Sequence, residues 1–173
     1  MKQRWPLLLL IAILFAGIGV YVGVNRYSPS PAAGDGSARF FALALPDASG
    51  STIPMSQYRG KPVLVNFWAT WCPPCVDEMP ELNALQQEFG TRKLQIVGIG
   101  IDSAANIAEF AKKQKIDYPL VVGGASGTDL SRQLGNKSGG LPFTVLIDSN
   151  GKLSKHYLGR VKIDELRRDL LAL

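Results

Sequence analysis

The chain has 173 residues, 46% hydrophobic and 19% charged, with two Cys, one His and a formal net charge of +5. Length and composition suit one folded domain with a short appendage and exclude a disordered polyelectrolyte. Two Cys cannot build a disulfide framework, and with a single His they fall one ligand short of a closed structural zinc site unless a carboxylate joins them.

Residues 7–24, LLLLIAILFAGIGVYVGV, form an 18-residue run without a charge. As a helix this run would be about 27 Å long, close to a hydrocarbon core of about 30 Å. Lys2 and Arg4 precede it with no acidic residue and Arg26 follows, so the positive-inside bias holds the start in the cytoplasm and exports the rest. Residues 1–27 are therefore read as a membrane anchor or signal sequence. One uncleaved transmembrane helix is favoured, because the run exceeds the roughly 7 to 15 residues of a signal h-region. Small residues at Ser28, Ser30, Ala32 and Ala33 are compatible with cleavage to a soluble form. Either way the domain is placed in the bacterial periplasm or on the outer face of the inner membrane. Residues 28–38 are rich in Pro, Gly, Ser and Ala and read as a flexible linker, leaving 39–173 as the folded domain.

Three of the 19 basic residues, Lys2, Arg4 and Arg26, precede that linker, leaving 16 against 14 acidic residues. The densest basic cluster, Lys112, Lys113 and Lys115, has no interleaved aromatics, so no nucleic-acid partner is expected.

Within the domain, residues 39–45 suggest a short hairpin or edge strand before the turn-like stretch 47–50. Residues 63–68, VLVNFW, form a nearly continuous apolar run suited to a strand buried on both faces. Val76, Met79, Leu82, Leu85 and Phe89 recur at helical spacing, predicting a helix from about 73 to 90 with a kink at Pro80. A second buried strand is predicted over 94–101, helices over 104–115 and 128–134, and strands over 143–147 and 152–158 joined by a turn at 149–151. A final amphipathic helix is predicted over 163–173, with Asp164 and Glu165 at its start and Arg167 and Arg168 further along. This order implies an α/β domain, a mixed central sheet with helices on both faces.

Between the first strand and its helix lies Trp71-Cys72-Pro73-Pro74-Cys75. A helix N-terminus favours an anion, so a Cys72 thiolate is stabilised there, and Cys75 falls beside it within disulfide reach. The chemistry this placement suits is attack by Cys72 on a substrate disulfide and resolution of the mixed disulfide by Cys75. The two prolines remove N–H donors from the loop, an effect whose sign on the potential is open. The bland alternative, an inert disulfide, would add little stability to a domain with a good core.

The stretch 60–80, GKPVLVNFWATWCPPCVDEMP, resembles the active-site region of the TlpA/ResA-like branch of the thioredoxin superfamily, the membrane-tethered thiol-disulfide oxidoreductases. Residues 51–58, IVGIGID and GLPFTVLIDSNGK match that family's pattern in order. The resemblance implies a thioredoxin fold with an N-terminal β extension and a redox-active disulfide between Cys72 and Cys75. It also implies periplasmic protein thiols or disulfides as substrates, a membrane thiol-disulfide protein as electron donor, a bias toward reduction, and no cofactor or metal. Pro142 matches the family's cis-proline, which would aim the Leu141 backbone at a bound peptide, and Trp71 matches the tryptophan flanking the nucleophile. Glu78 matches a glutamate near the cysteines that could tune or accept a thiol proton. Its alternative is a carboxylate serving the helix dipole.

Asn66 stands where thioredoxin itself has a buried aspartate, and a neutral amide cannot be a base. Phe143 lacks the acidic residue found after this proline in the cytochrome-c-maturation reductases. Two rival functions fit parts of the same sequence: copper handling through the Cys pair and His156, and a thiol peroxidase needing a threonine and arginine around Cys72, for which Thr70 is adjacent. Asp102, Asp148 and Asp164 read as turn and cap residues.

Overall fold

The computed structural model describes residues 36–173. The predicted membrane segment at 7–24 and most of the linker lie outside the described residues. Among the described residues no helix is long and apolar enough to cross a membrane.

A five-stranded sheet forms the centre: β3 (Val63–Trp68), β4 (Gln95–Gly100), β5 (Leu120–Val122), β6 (Phe143–Ile147) and β7 (Leu153–Leu158), in the order β5-β4-β3-β6-β7. The pairs β3/β4 and β4/β5 are parallel, and β3/β6 and β6/β7 antiparallel. All six residues of β3 are buried because both faces of the sheet are covered. Leu64 and Trp68 pack on one face with Met79, Leu82, Ile107 and Leu166, while Val63, Val65 and Phe67 pack on the other with Phe40, Phe41, Leu130 and Leu134. The first face is covered by α2 (Pro73–Lys93), α3 (Ala104–Lys113) and α5 (Ile163–Leu171), and the second by α1 (Gly36–Ala42) and α4 (Gly124–Gln133).

The entry to the domain differs from the sequence reading. Residues 36–42 are helical, so the predicted linker ends inside α1, and the hairpin is confined to β1 (Ala44–Pro46) and β2 (Thr52–Pro54). Phe40 and Phe41 are adjacent and both buried, which a helix face allows and an alternating strand does not. Gly36 lies so close to α4 that a Cβ there would stand 2.6 Å from the Gln133 carbonyl oxygen. The hairpin turn is closed by Asp47, whose Oδ1 accepts from the Ser49 and Ser51 N–H groups at 2.8 and 2.9 Å. A bridge from Asp47 to Val121 attaches the hairpin beside β5.

In α2 helical torsions persist through Pro80, where a kink was predicted, and the break falls at Gly90 with φ 67°. The N–H missing at Pro80 is tolerated because Met79 and Leu82 on either side are fully buried and pin the helix to the sheet. The strands predicted over 63–68 and 143–147 occur with those bounds as β3 and β6, the other predicted elements have ends shifted by up to four residues, and the three-residue β5 has no counterpart among the predicted elements.

Candidate active site

The disulfide site forms where β3 ends and α2 begins. Cys72 is the N-cap of α2 with extended torsions, and Pro73 and Pro74 fill the first two helical positions. Proline suits this place because its fixed φ is helical and the missing N–H has no intrahelical partner. The N–H groups of Cys75 and Val76 both donate to the Cys72 carbonyl, at 3.0 and 3.1 Å. Hence no unpaired N–H of the first turn is left for the Cys72 sulfur, and only the field of the helix favours a thiolate there. Cys72 and Cys75 form a disulfide with Cα atoms 5.3 Å apart, within the ordinary range. Both are buried, Cys72 at 5% exposure and Cys75 at 0%.

Trp71 is 66% exposed, an unusual cost for so large an apolar ring. A cavity of about 500 Å³ opens beside it, lined by Cys72, Pro74, Ile101, Thr128 and Leu141 among others. The Leu141–Pro142 peptide is cis, as the resemblance implied. Trp71, Cys72 and Leu141 are thus brought to one cavity.

Glu78 lies one turn beyond Cys75 and is completely buried. Its Oε1 accepts from Asn66 Nδ2 at 2.8 Å and its Oε2 from the Val161 N–H at 3.0 Å. It therefore binds donors from other parts of the chain and does not serve its own helix as a surface carboxylate would. Burial pushes its carboxyl above the ordinary range, against the opposing pull of those two donors. Asn66 also donates to Thr144 Oγ1 at 3.0 Å, while its Oδ1 is buried without a partner. The buried Tyr118 hydroxyl likewise has no partner, and its pKa is driven up by burial and further by the Glu78 charge.

A second carboxylate, Asp102, follows β4. Its Oδ2 accepts from the Thr70 hydroxyl and, at 3.3 Å, from the Thr70 N–H. Its Oδ1 accepts from the Ser103 N–H and from Asn106 Nδ2, both at 2.7 Å. Partial burial pushes Asp102 up, but the hydrogen bonds from Thr70, Asn106 and Ser103 outweigh it and hold the carboxyl below its ordinary value. The sequence reading placed Asp102 in a turn and missed its bonds to Thr70, as it missed Thr144, Tyr118 and the Val161 N–H around Glu78. Those partners lie far away in sequence, and only the alternation of VLVNFW, which puts Asn66 on the face of Leu64 and Trp68, hinted at them.

The AhpC/TSA family profile matches residues 37–157. The chain belongs to this family. It is 31% identical over 177 aligned positions to the thiol-disulfide oxidoreductase ResA of Geobacillus thermodenitrificans, covering 98% of this chain and 97% of that protein. It is 30% identical over 155 positions to ResA of Bacillus subtilis, covering 88% and 82%. Among solved structures, a thioredoxin-family thiol:disulfide interchange protein from Chlorobium tepidum superposes with a TM-score of 0.65 at 28% identity, covering 75% of this chain and 91% of that one. The fold is thioredoxin-like and the chain is a thiol-disulfide oxidoreductase of the ResA type.

The rival roles gain nothing from the site. His156 is exposed on β7 with its ring 5.9 Å from that of Phe143, and among the described residues no cluster of three or more His, Cys, Asp or Glu could hold a metal ion. The Thr70 hydroxyl is engaged by Asp102, and among the described residues no arginine lines the Cys72 cavity.

Proposed function

We propose that this oxidoreductase reduces disulfides of exported proteins, tethered by residues 7–24 to the bacterial inner membrane with its domain in the periplasm. The observation that carries the mechanism is the unequal burial of the pair, with Cys72 in the cavity lining and Cys75 sealed. In the reduced enzyme the Cys72 thiolate attacks one sulfur of a substrate disulfide, forming a mixed disulfide and releasing the other substrate sulfur as a thiolate. Cys75, deprotonated, then attacks Cys72, releasing the second substrate thiolate and closing the enzyme disulfide. Two electrons pass from enzyme to substrate. A membrane thiol-disulfide protein returns them by the same exchange in reverse. Trp71 and the Leu141 main chain flank the substrate segment, and Glu78 takes or returns the Cys75 proton.

Thiolate stabilisation in the dithiol form makes a couple oxidising. The two prolines leave Cys72 without an unpaired N–H in the first turn, which supports a reducing couple. Equilibration with thiol redox buffers tests this: a potential nearer about −270 mV than about −120 mV supports reduction, and the opposite result reverses the direction of flow. A fusion of residues 1–38 to a reporter active only outside the cytoplasm tests the location: an active, membrane-bound fusion supports the tether, and a silent one overturns it.

A further inference from the structure

The last sheet bond on this side of β3 is the Ile101 N–H to the Trp68 carbonyl, 2.7 Å, after which the chain leaves the sheet to form the loop bearing Trp71. One residue past Ile101, Asp102 takes over the attachment by accepting both the main-chain N–H and the hydroxyl of Thr70. Its other oxygen is fixed by the Ser103 N–H and Asn106 at the start of α3. Capping does not require this arrangement, because the N-cap of α3 is Ser103, whose hydroxyl accepts from the Asn106 N–H at 3.1 Å. The bonds to Thr70 are therefore additional to helix capping, and they end one residue from the most exposed aromatic ring beside the disulfide.

We propose that Asp102 and Thr70 form a clasp that holds Trp71 in place for a protein substrate, which makes Asp102 a positioning residue for exchange at Cys72. Asp102 is not among the residues lining the cavity and acts through Thr70. An exposed ring has little packing of its own to hold it, so its loop must be pinned from behind if the ring is to meet a substrate without an ordering cost. A small disulfide that touches only sulfur does not use the ring and is indifferent to the clasp. The proposal rests on the exchange reading given above.

The test compares the full chain with Asp102→Ala, Thr70→Val, Thr70→Ser and the Asp102→Ala/Thr70→Val pair. Insulin serves as the protein disulfide, with dithiothreitol for regeneration, and 5,5′-dithiobis(2-nitrobenzoate) as the small one. Loss of the charge-assisted hydroxyl bond should raise KM for insulin about 10-fold in Thr70→Val, and at least as much in Asp102→Ala, which also loses the main-chain bond. The small-disulfide rate should stay within about twofold. Thr70→Ser should behave as wild type, and the double variant no worse than Asp102→Ala. An unchanged KM in Thr70→Val, additive losses in the pair, or equal losses with both disulfides accompanied by a lower melting temperature would overturn the clasp. A wild-type chain inactive on both disulfides would instead overturn the exchange reading, and the clasp with it.

Discussion

Glu78 and Asp102 are both carboxylates close to the disulfide, and the fold treats them in opposite ways. Glu78 is sealed beneath the sheet and α2 with two hydrogen-bond donors, and burial wins, so its proton is held more tightly than in water. Asp102 sits near the surface with four donated bonds, and the bonds win, so it is held as an anion. Depth and the number of donors, and not residue type, decide which carboxylate can exchange a proton and which is a fixed anchor.

The largest expected effect is on stability at the buried site. Glu78→Ala would strand the Val161 N–H and one donor of Asn66 in the interior, at a cost of about 3 kcal/mol in urea unfolding. A change below about 0.5 kcal/mol would mean that the two donors find other partners.

Next comes pH. A folded carboxyl raised above its ordinary value of 4.5 keeps its proton where the unfolded chain has lost it, so Glu78 lowers stability as pH climbs from 4.5 to its folded value. Glu78→Gln should remove that decline in unfolding experiments run across this window. The reverse holds, more weakly because of solvent screening, for Asp102: its stabilisation is present above 3.8 and disappears as pH falls through the lower folded value. Asp102→Asn should remove that acid-side loss. Shifts of the same sign in the two variants would erase the contrast between the sites.

The smallest stability effect is expected at Trp71. With 66% of the residue exposed, Trp71→Ala should change unfolding by less than about 0.5 kcal/mol while impairing turnover of a protein disulfide. A large loss of stability would show the ring to be structural.

How much of this could be read beforehand depended on how local the signal is. The apolar run of β3, Pro73 after Cys72 and the helical spacing from Val76 to Phe89 are each complete within a few residues, so the site's scaffold followed from them. Residues 36–38 have the composition of a linker, and only the contact between Gly36 and Gln133 reveals that they are packed. β5 is too short for alternation to register. Glu78 was picked out by resemblance, but its surroundings were hidden because the Val161 N–H lies 83 residues further on. Asp102 reads from sequence as a turn or cap residue, while its bonds to Thr70 cross 32 residues.

The most direct measurement of exchange through a nucleophile at the cavity and a sealed resolver is trapping with Cys75→Ser in cells. Without the resolving thiol, substrate proteins should accumulate as adducts on non-reducing gels and disappear on reduction, whereas Cys72→Ser, which keeps only Cys75, should give none. An absence of adducts, or adducts that persist without Cys72, would contradict the assignment of Cys72 as the attacking sulfur.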